Sequence, residues 1–298
     1  MSFIGEIAAI ATAFFFAMTA LIFTSTGRSV GSQVTNRMRL LFALLYLIII
    51  NLILFREPFP FSAESSRWFW LSLSGVIGLS LGDAFLFQSF VSVGTRLGSL
   101  LLSLAPIFGS IIAWIFFDEV LSILQITGIV LALAGIAWVV VSHQEPPNTP
   151  RGHTRRGVIF GILAGLGQAV GLVLSKQGMS GGFSPFQANE IRMLAAVSFS
   201  WVWATLAGNA GSTFQDLRGK PRILGLLALG ALVGPVLGVV SSLIAIQYVE
   251  IGIASTLNAL TPVIILPISY FVFKEKVGWQ AIVGTLLAIA GVAILFLA

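Results

Sequence analysis

The chain has 298 residues, of which 57% are hydrophobic and only 9% carry a charge. A soluble domain ordinarily carries about 25% charged residues, so this composition excludes soluble enzymes, nucleic-acid-binding proteins and disordered scaffolds. It indicates an integral membrane protein. The net charge of +5 fits Lys and Arg residues in cytoplasmic loops, and the absence of cysteine excludes disulfides and Cys-based metal sites.

Ten apolar stretches are long enough to cross a membrane as helices, which takes roughly 20 apolar residues each. They are continuously apolar, whereas the strands of a transmembrane β-barrel alternate. We interpret the first as a retained helix and not a signal peptide, because no basic region precedes it. The predicted spans are 6–26, 38–55, 68–92, 95–117, 121–142, 157–177, 191–208, 222–247, 252–273 and 278–298.

A polar segment divides the chain almost in half, with five predicted spans on either side. Residues 143–156 contain several prolines and arginines, and proline lacks the N–H that a helix needs. We therefore predict a first unit at 1–142, an extended linker at 143–156 and a second unit at 157–298.

The two units are copies of one repeat. A shift of 156 residues superposes residue types that apolar bias alone does not bring together, namely Pro106 on Pro262, Phe117 on Phe273, Glu119 on Glu275, Gly128 on Gly284 and Gly135 on Gly291. Nearer the start, a shift of 153 residues places Asn36 and Arg39 on Asn189 and Arg192. Because each unit has an odd number of spans, the second copy enters the membrane from the opposite side. The sequence thus predicts an all-α membrane protein of ten transmembrane helices in two inverted five-helix repeats, an architecture of many secondary transporters.

Both units resemble the EamA-type repeat of the drug/metabolite transporter superfamily over nearly the whole chain. The resemblance rests on Leu104-Ala105-Pro106, Phe117-Asp118-Glu119 and Gly128 to Gly135, on their counterparts Leu260-Thr261-Pro262, Phe273-Lys274-Glu275 and Gly284 to Gly291, and on Arg39 and Arg192. It implies a multi-pass transporter of the cell (inner or plasma) membrane. The superfamily includes exporters of amino acids and other metabolites, nucleotide-sugar and sugar-phosphate exchangers, and multidrug pumps. Small multidrug-resistance relatives keep a glutamate in the middle of the first helix, and this chain has Thr12-Ala13-Phe14-Phe15-Phe16 there.

Asp83 is the leading candidate for chemistry because it lies well inside the third predicted span. An acidic residue at mid-helix costs about 2.5–3.5 kcal/mol on insertion scales, and such residues face cavities, bind substrate or carry protons. We predict Asp83 as a cavity residue and as the proton-coupling candidate. The alternative is a neutral, hydrogen-bonded Asp that joins the third helix to a neighbour.

Other polar residues inside the spans are predicted to line the same substrate cavity. Ser255, Asn258 and Thr261 recur every three residues and share one helix face, and the repeat-related span carries Ser99 and Ser103. Such a stripe lines a cavity or hydrogen-bonds a neighbouring helix. The remaining cavity candidates are Gln88, Gln168, Lys176, Gln247 and Tyr248. For Lys176 the alternative is a side chain that extends to the membrane interface.

The two prolines that follow the polar stripes, Pro106 and Pro262, are predicted as helix breaks or hinges, since proline frees backbone carbonyls.

Four charged residues at repeat-related positions are predicted to have structural roles. Arg39 and Arg192 lie one turn inside their spans, where they could reach the interface or form an interhelical ion pair or gate, with Glu190 nearby. Glu119 and Glu275 each precede a helix, where a carboxylate favours the positive end of the helix dipole.

The sequence Gly78-Leu79-Ser80-Leu81-Gly82 matches the G-x-S-x-G motif of hydrolases. That motif requires a strand-to-helix turn, and here it lies within an apolar helix. We predict no enzyme, no catalytic residue, no metal and no cofactor. The expected partners are a small-molecule substrate, membrane lipids and protons as a candidate coupling ion, without nucleic acid.

The sequence therefore predicts a secondary transporter that exports a small polar or amphipathic metabolite, with amino acids among the candidates, by alternating access. The alternatives are a multidrug exporter, a passive channel and, more remotely, a membrane-embedded enzyme. The resemblance implies cytoplasmic termini, whereas most Lys and Arg residues follow odd-numbered spans and so favour a cytoplasmic linker. The orientation stays open.

Overall fold

A computed structural model describes residues 3–116, 122–142, 153–248, 257–258, 260–273 and 278–297. Within these ranges every regular element is a helix. The first half contains α1 (Ile4–Val30), α2 (Ser32–Phe55), α3 (Ser65–Ser74), α4 (Asp83–Leu102), α5 (Ala105–Phe116) and α6 (Ile123–Ser142). The second half contains α7 (His153–Gly178), α8 (Pro185–Leu206), α9 (Ala210–Leu217), α10 (Pro221–Ala231), α11 (Val239–Tyr248), α12 (Thr261–Phe273) and α13 (Trp279–Leu297).

The described part contains six helical runs that are long and apolar enough to cross a membrane. A seventh results if α8 and α9, which are bent by 100° relative to each other, form one span. The predicted count of ten is therefore not confirmed by length and composition. The difference has a physical basis, since the span predicted at 95–117 is divided between α4 and α5. The span predicted at 252–273 lies partly outside the described residues.

Glycine and proline set several helix boundaries. Gly94 interrupts α4 with φ 85°, at the predicted boundary between the third and fourth spans. Gly31, with φ 89°, separates α1 from α2. This region of backbone space favours glycine because it has no Cβ. Pro185 and Pro221 each open a helix, where the missing N–H has no partner to lose.

A π-helical segment interrupts the third long helix of each half. The first, Gly75–Gly82, joins α3 to α4, and the second, Leu232–Gly238, joins α10 to α11. Their last residues are related by the 156-residue shift that aligns the repeats. π-helical turns are rare and are frequent at functional sites. The two halves thus share a local irregularity of the backbone as well as a sequence pattern.

The last helices of the two halves, α6 and α13, pack against each other through reciprocal contacts. A Cβ built on Gly135 would lie 2.6 Å from the carbonyl oxygen of Gly284, and one built on Gly291 would lie 2.6 Å from that of Gly128. The shift of 156 exchanges these two contacts, as a two-fold axis requires. The partner number falls as the residue number rises, so the helices are antiparallel and the two copies are inverted.

The first helix of each half packs against the third helix of the other half. In one direction α7 contacts the first π-helical segment and α4, and in the other α1 contacts the second π-helical segment and α11. Glycines permit the close approach, since a Cβ on Gly171 would lie 3.0 Å from the Cα of Gly78. Because each half packs against the other in this way, the interface between the two halves lies at the centre of the molecule.

Candidate functional site

A cavity of about 1600 Å³ lies between the two halves. Helices α1 to α8, α11 and α12 and both π-helical segments contribute to its lining. Much of the wall is apolar and includes the aromatic residues Phe16, Phe23, Trp70, Phe87 and Phe90. The charged lining residues of the described chain are Arg39, Asp83, Lys176 and Arg192.

The cavity opens on one face of the helix bundle, which we call the open face. It is formed by the ends of α7 and α11, where the lining residues Lys176 and Tyr248 are exposed to solvent. Nearby, Arg67 donates a hydrogen bond to the carbonyl oxygen of Ser180 at 2.6 Å. Gln247 donates one to the carbonyl oxygen of Phe183 at 2.9 Å.

Packed side chains close the opposite face, which we call the closed face. The Ser32 hydroxyl, at the start of α2, donates a hydrogen bond to Oε1 of Gln88 on α4 at 2.6 Å. A Cβ built on Gly157, at the start of α7, would lie 3.5 Å from Cβ of Val93 on α4. None of these four residues lines the cavity, so within the described chain access to it is one-sided.

An ion pair lies inside the cavity. Nη2 of Arg39 on α2 is 2.5 Å from Oδ2 of Asp83, and both residues are at least nine-tenths buried. The same nitrogen donates to the carbonyl oxygen of Leu79 at 2.9 Å, and the guanidinium carbon lies 4.8 Å from the centroid of the Phe87 ring. Gln168 on α7 donates to the other Asp83 oxygen, Oδ1, at 2.6 Å. The carboxylate thus joins helices from both halves.

Arg192 on α8 also lines the cavity and is 4% exposed. Its Nε donates a hydrogen bond to the Ser74 hydroxyl at 3.0 Å. Within the described chain no carboxylate oxygen lies within 4.0 Å of it, although its charge is near enough to act on Asp83. Neither arginine extends to the membrane interface, one of the possibilities raised by their positions. Arg39 pairs with Asp83, whereas Glu190 accepts a hydrogen bond from Asn51 at 2.9 Å.

Two asparagines at repeat-related positions each bind a carbonyl oxygen of the π-helical segment in their own half. Nδ2 of Asn36 donates to the carbonyl oxygen of Ser80 at 3.0 Å, and Nδ2 of Asn189 donates to that of Pro235 at 2.8 Å. Both asparagines are buried. The repeat alignment pairs them, but nothing in the sequence alone indicates that they bind backbone carbonyls. Oδ1 of Asn36 also accepts a hydrogen bond from Nε of Arg39 at 2.9 Å.

The described residues of the polar stripes lie near the ends of helices. Ser99, Ser103, Asn258 and Thr261 line the cavity, whereas Ser255 lies outside the described residues. Thr261 donates to the carbonyl oxygen of Asn258 at 2.7 Å, and Oδ1 of Asn258 is buried with no hydrogen-bond partner in the described chain.

Pro106 and Pro262 both line the cavity and are the second residues of α5 and α12. The turn residues Leu104 and Leu260 precede these two helices at repeat-related positions.

The structure brings together most, but not all, of the predicted site residues. Gln168, Lys176, Gln247 and Tyr248 line the cavity with Asp83. Gln88 is outside the lining and bonds to Ser32 at the closed face instead. Glu119 and Glu275 lie outside the described residues.

Ser80, the serine of the G-x-S-x-G match, is buried within the first π-helical segment and not on the strand-to-helix turn of a hydrolase. No group of three His, Cys, Asp or Glu side chains that could hold a metal occurs in the part of the chain that the structure describes.

Comparison with known proteins identifies the repeats. The model of the EamA-like transporter family matches residues 3–141 and again residues 155–297. No curated protein matches the sequence. A solved structure described only as "Crystal structure of protein" superposes with a TM-score of 0.64, covers 98% of this chain and 96% of its own, and is 16% identical in sequence. At that identity the likeness shows the fold alone.

Proposed function

The chain belongs to the EamA-like transporter family, and from this premise we propose that it is a secondary transporter that exports a small polar or amphipathic metabolite by alternating access. Membership of the family makes it a multi-pass membrane transporter with a small-molecule substrate. The cell membrane, the direction of transport and the coupling are parts of the proposal.

The observation that carries the proposal is a one-sided cavity between two inverted copies of the same unit. Inverted copies can exchange conformations, and the exchange turns a cavity open on one face into one open on the other. The lining includes the start of α5 and of α12, where both copies carry a proline in the second position. Interrupted helices at the centre of the membrane are typical of substrate sites in such transporters.

Asp83 is the proposed coupling residue. Its carboxylate holds Arg39 of α2 and Gln168 of α7, which belong to different halves. A proton on Oδ2 of Asp83 would remove the charge that attracts Arg39 and so loosen α2 from α4. Protonation would therefore change the energy of moving the two helices relative to each other, as coupling requires.

The experiment is counterflow in proteoliposomes loaded in turn with amino acids, nucleosides, sugar phosphates and organic cations, with and without a pH gradient. Accumulation of labelled substrate above the level in protein-free liposomes supports a carrier and identifies the pool that contains its substrate. A passive channel gives equilibration without counterflow, and a chemically altered label supports an enzyme. Accumulation restricted to the organic cations favours a multidrug exporter.

Coupling and direction have their own readouts. Gradient-dependent accumulation that disappears in Asp83→Asn while counterflow without a gradient is retained supports proton coupling through this residue, whereas gradient dependence that is unchanged in this variant contradicts it. Faster loss of the identified substrate from intact cells that express the protein supports export. Faster uptake contradicts export.

A further inference from the structure

We infer that Arg192 is an anion-binding subsite and that the substrate is an amphipathic anion, with one carboxylate or sulfonate group on an apolar body. This inference rests on the proposed transport function and deepens it by naming the substrate class. It follows from the charges of the cavity, from the partners of each charge and from a difference between the two repeats.

The first observation is the balance of charge. The described lining contains three cationic side chains, Arg39, Lys176 and Arg192, and one carboxylate, Asp83. Asp83 neutralises one cation, so the described lining retains an excess of positive charge. In a low-dielectric membrane interior such an excess attracts anions strongly and repels organic cations.

The second observation is the difference between the two arginines. Arg39 is paired with Asp83 and also bonds a carbonyl and an amide oxygen. Arg192 is equally buried, but its one described hydrogen bond runs from Nε to the neutral Ser74 hydroxyl. The terminal nitrogens of Arg192 therefore have no described hydrogen bond, although the residue lines the cavity. A planar guanidinium is well suited to bind a carboxylate or sulfonate through two parallel hydrogen bonds.

The third observation explains why Arg192 has no carboxylate partner among the described residues. The shift of 156 residues that relates the repeats places Val239 at the position of Asp83. Glu190, on the same helix as Arg192, accepts a hydrogen bond from Asn51 and does not line the cavity. A buried arginine without a paired charge is unfavourable. An anionic group of the substrate would supply the missing charge during transport.

The remaining surface determines the other part of the ligand. Six aromatic rings of the described chain line the cavity (Phe16, Phe23, Trp70, Phe87, Phe90 and Tyr248), so a purely ionic ligand such as inorganic phosphate would leave most of the wall without a matching contact. Exposed Lys176 lies at the open face, where it would attract the anion before Arg192 binds it. The ligand that fits both regions has one charged end and an apolar end.

The test compares four probes that share one apolar body and differ in head group. These are 3-phenylpropionate, 2-phenylethanesulfonate, 3-phenylpropionamide and 3-phenylpropylamine. Binding is measured by the shift in the thermal unfolding midpoint of the purified full-length protein. We expect both anions to bind at least about tenfold more tightly than the amide, because a charge-assisted hydrogen bond is lost in the amide. A response to only one anion supports the site and identifies its head group. Equal binding of amide and anions, or tighter binding of the amine, overturns the inference.

The variants assign the effect to Arg192. In Arg192→Gln the preference for anions over the amide is expected to disappear, whereas Lys176→Gln, at the open face, retains most of it. Val239→Asp offers Arg192 an internal carboxylate while leaving the arginine in place, so this variant tests the site even if Arg192→Gln does not fold. We expect Val239→Asp to lose the anion preference as well. Anion preference that persists in folded Arg192→Gln or in Val239→Asp contradicts the assignment.

The outcome of the binding test can be distinguished from the outcome of the transport test. Anion binding without counterflow of any pool or of the two anionic probes leaves the subsite intact and contradicts the transporter proposal. Counterflow of cations alone leaves the transporter intact and contradicts the anion subsite.

Discussion

The two repeats use the same framework and different charges. Asn36 and Asn189 each bind a carbonyl oxygen of the π-helical segment in their own half. Arg39 and Arg192 follow them at the same spacing, and both line the cavity. In the first repeat the residue directly after the π-helical segment is Asp83, whereas in the second repeat Val239 stands at that position.

The difference separates two requirements of the molecule. Inverted, alike frameworks allow each half to adopt the conformation of the other, which alternating access needs. The charges of the two halves differ, because Asp83 neutralises Arg39 whereas Arg192 has no carboxylate partner in the described chain and can bind a ligand. We therefore assign the shared framework to the proposed conformational change and the unlike charges to the recognition of substrate.

The largest expected loss of stability comes from breaking the ion pair of the first repeat. Asp83→Asn leaves the Arg39 guanidinium buried without its counter-charge, a change that costs about 3–5 kcal/mol in buried pairs. We expect Arg39→Gln to cost a similar amount, because it leaves Asp83 unpaired. Arg192→Gln removes one hydrogen bond to Ser74 and leaves no partner carboxylate behind, so its cost is expected to be about 0.5–1.5 kcal/mol. The measurement is the free energy of unfolding in detergent under one set of conditions.

A matched control replaces both charges together. Arg39→Met combined with Asp83→Leu removes the pair without leaving an uncompensated charge, and we expect it to recover most of the stability lost in either single charge variant. If Arg39→Gln and Arg192→Gln destabilise the protein equally, the proposed asymmetry of the two repeats is wrong.

An intermediate effect is expected from the two asparagines that the repeats share. Asn36→Ala and Asn189→Ala each remove a buried amide that binds a π-helical carbonyl, which costs about 1–3 kcal/mol per orphaned group. We expect both variants to lose transport activity and stability together. Asn36→Ala should cost more, since Asn36 also accepts from Arg39. An undamaged Asn189→Ala protein would show that the second π-helical segment does not depend on its amide.

The smallest expected effect concerns the buried carboxylate that does not line the cavity. Glu190→Gln has nearly the same shape as the native residue, and its carbonyl oxygen can still accept the hydrogen bond from Asn51. We expect transport rates close to those of the native protein, because Glu190 does not line the cavity, and a smaller loss of stability than in Asn36→Ala. Transport lost in Glu190→Gln but retained in Asp83→Asn would move the coupling role from Asp83 to Glu190.

Much of this arrangement can be predicted from the sequence because it follows from local pattern. The helical class follows from the apolar runs, and the inversion follows from an odd number of predicted spans in each repeat. A carboxylate within an apolar span is costly, which is sufficient to single out Asp83. The helix break at Gly94 falls between two predicted spans. Glycine tolerates the positive φ of 85° that the backbone adopts at this break.

The remaining features depend on contacts between distant segments. The pairing of Arg39 with Asp83 requires α2 to lie beside the end of the first π-helical segment, and no periodicity in either segment indicates this. Gln88 and Gln168 look alike as glutamines in apolar helices. One bonds Ser32 at the closed face and the other bonds Asp83 in the cavity, because their helices present them to different neighbours.

The central claim is that the closed face must open during transport, and a reversible cross-link tests it most directly. The chain has no cysteine, so Val93→Cys with Gly157→Cys introduces the sole pair. The 3.5 Å between Cβ of Val93 and a Cβ on Gly157 falls at the short end of the range found in disulfides. A Cβ on Gly157 would also lie 2.8 Å from Cβ of Ser92, so this contact has to widen slightly in the variant. We predict counterflow in the reduced protein, none after oxidation, recovery with a reductant, and no effect of oxidant on either single variant. Equal counterflow in the reduced and the fully cross-linked protein would contradict alternating access through this face.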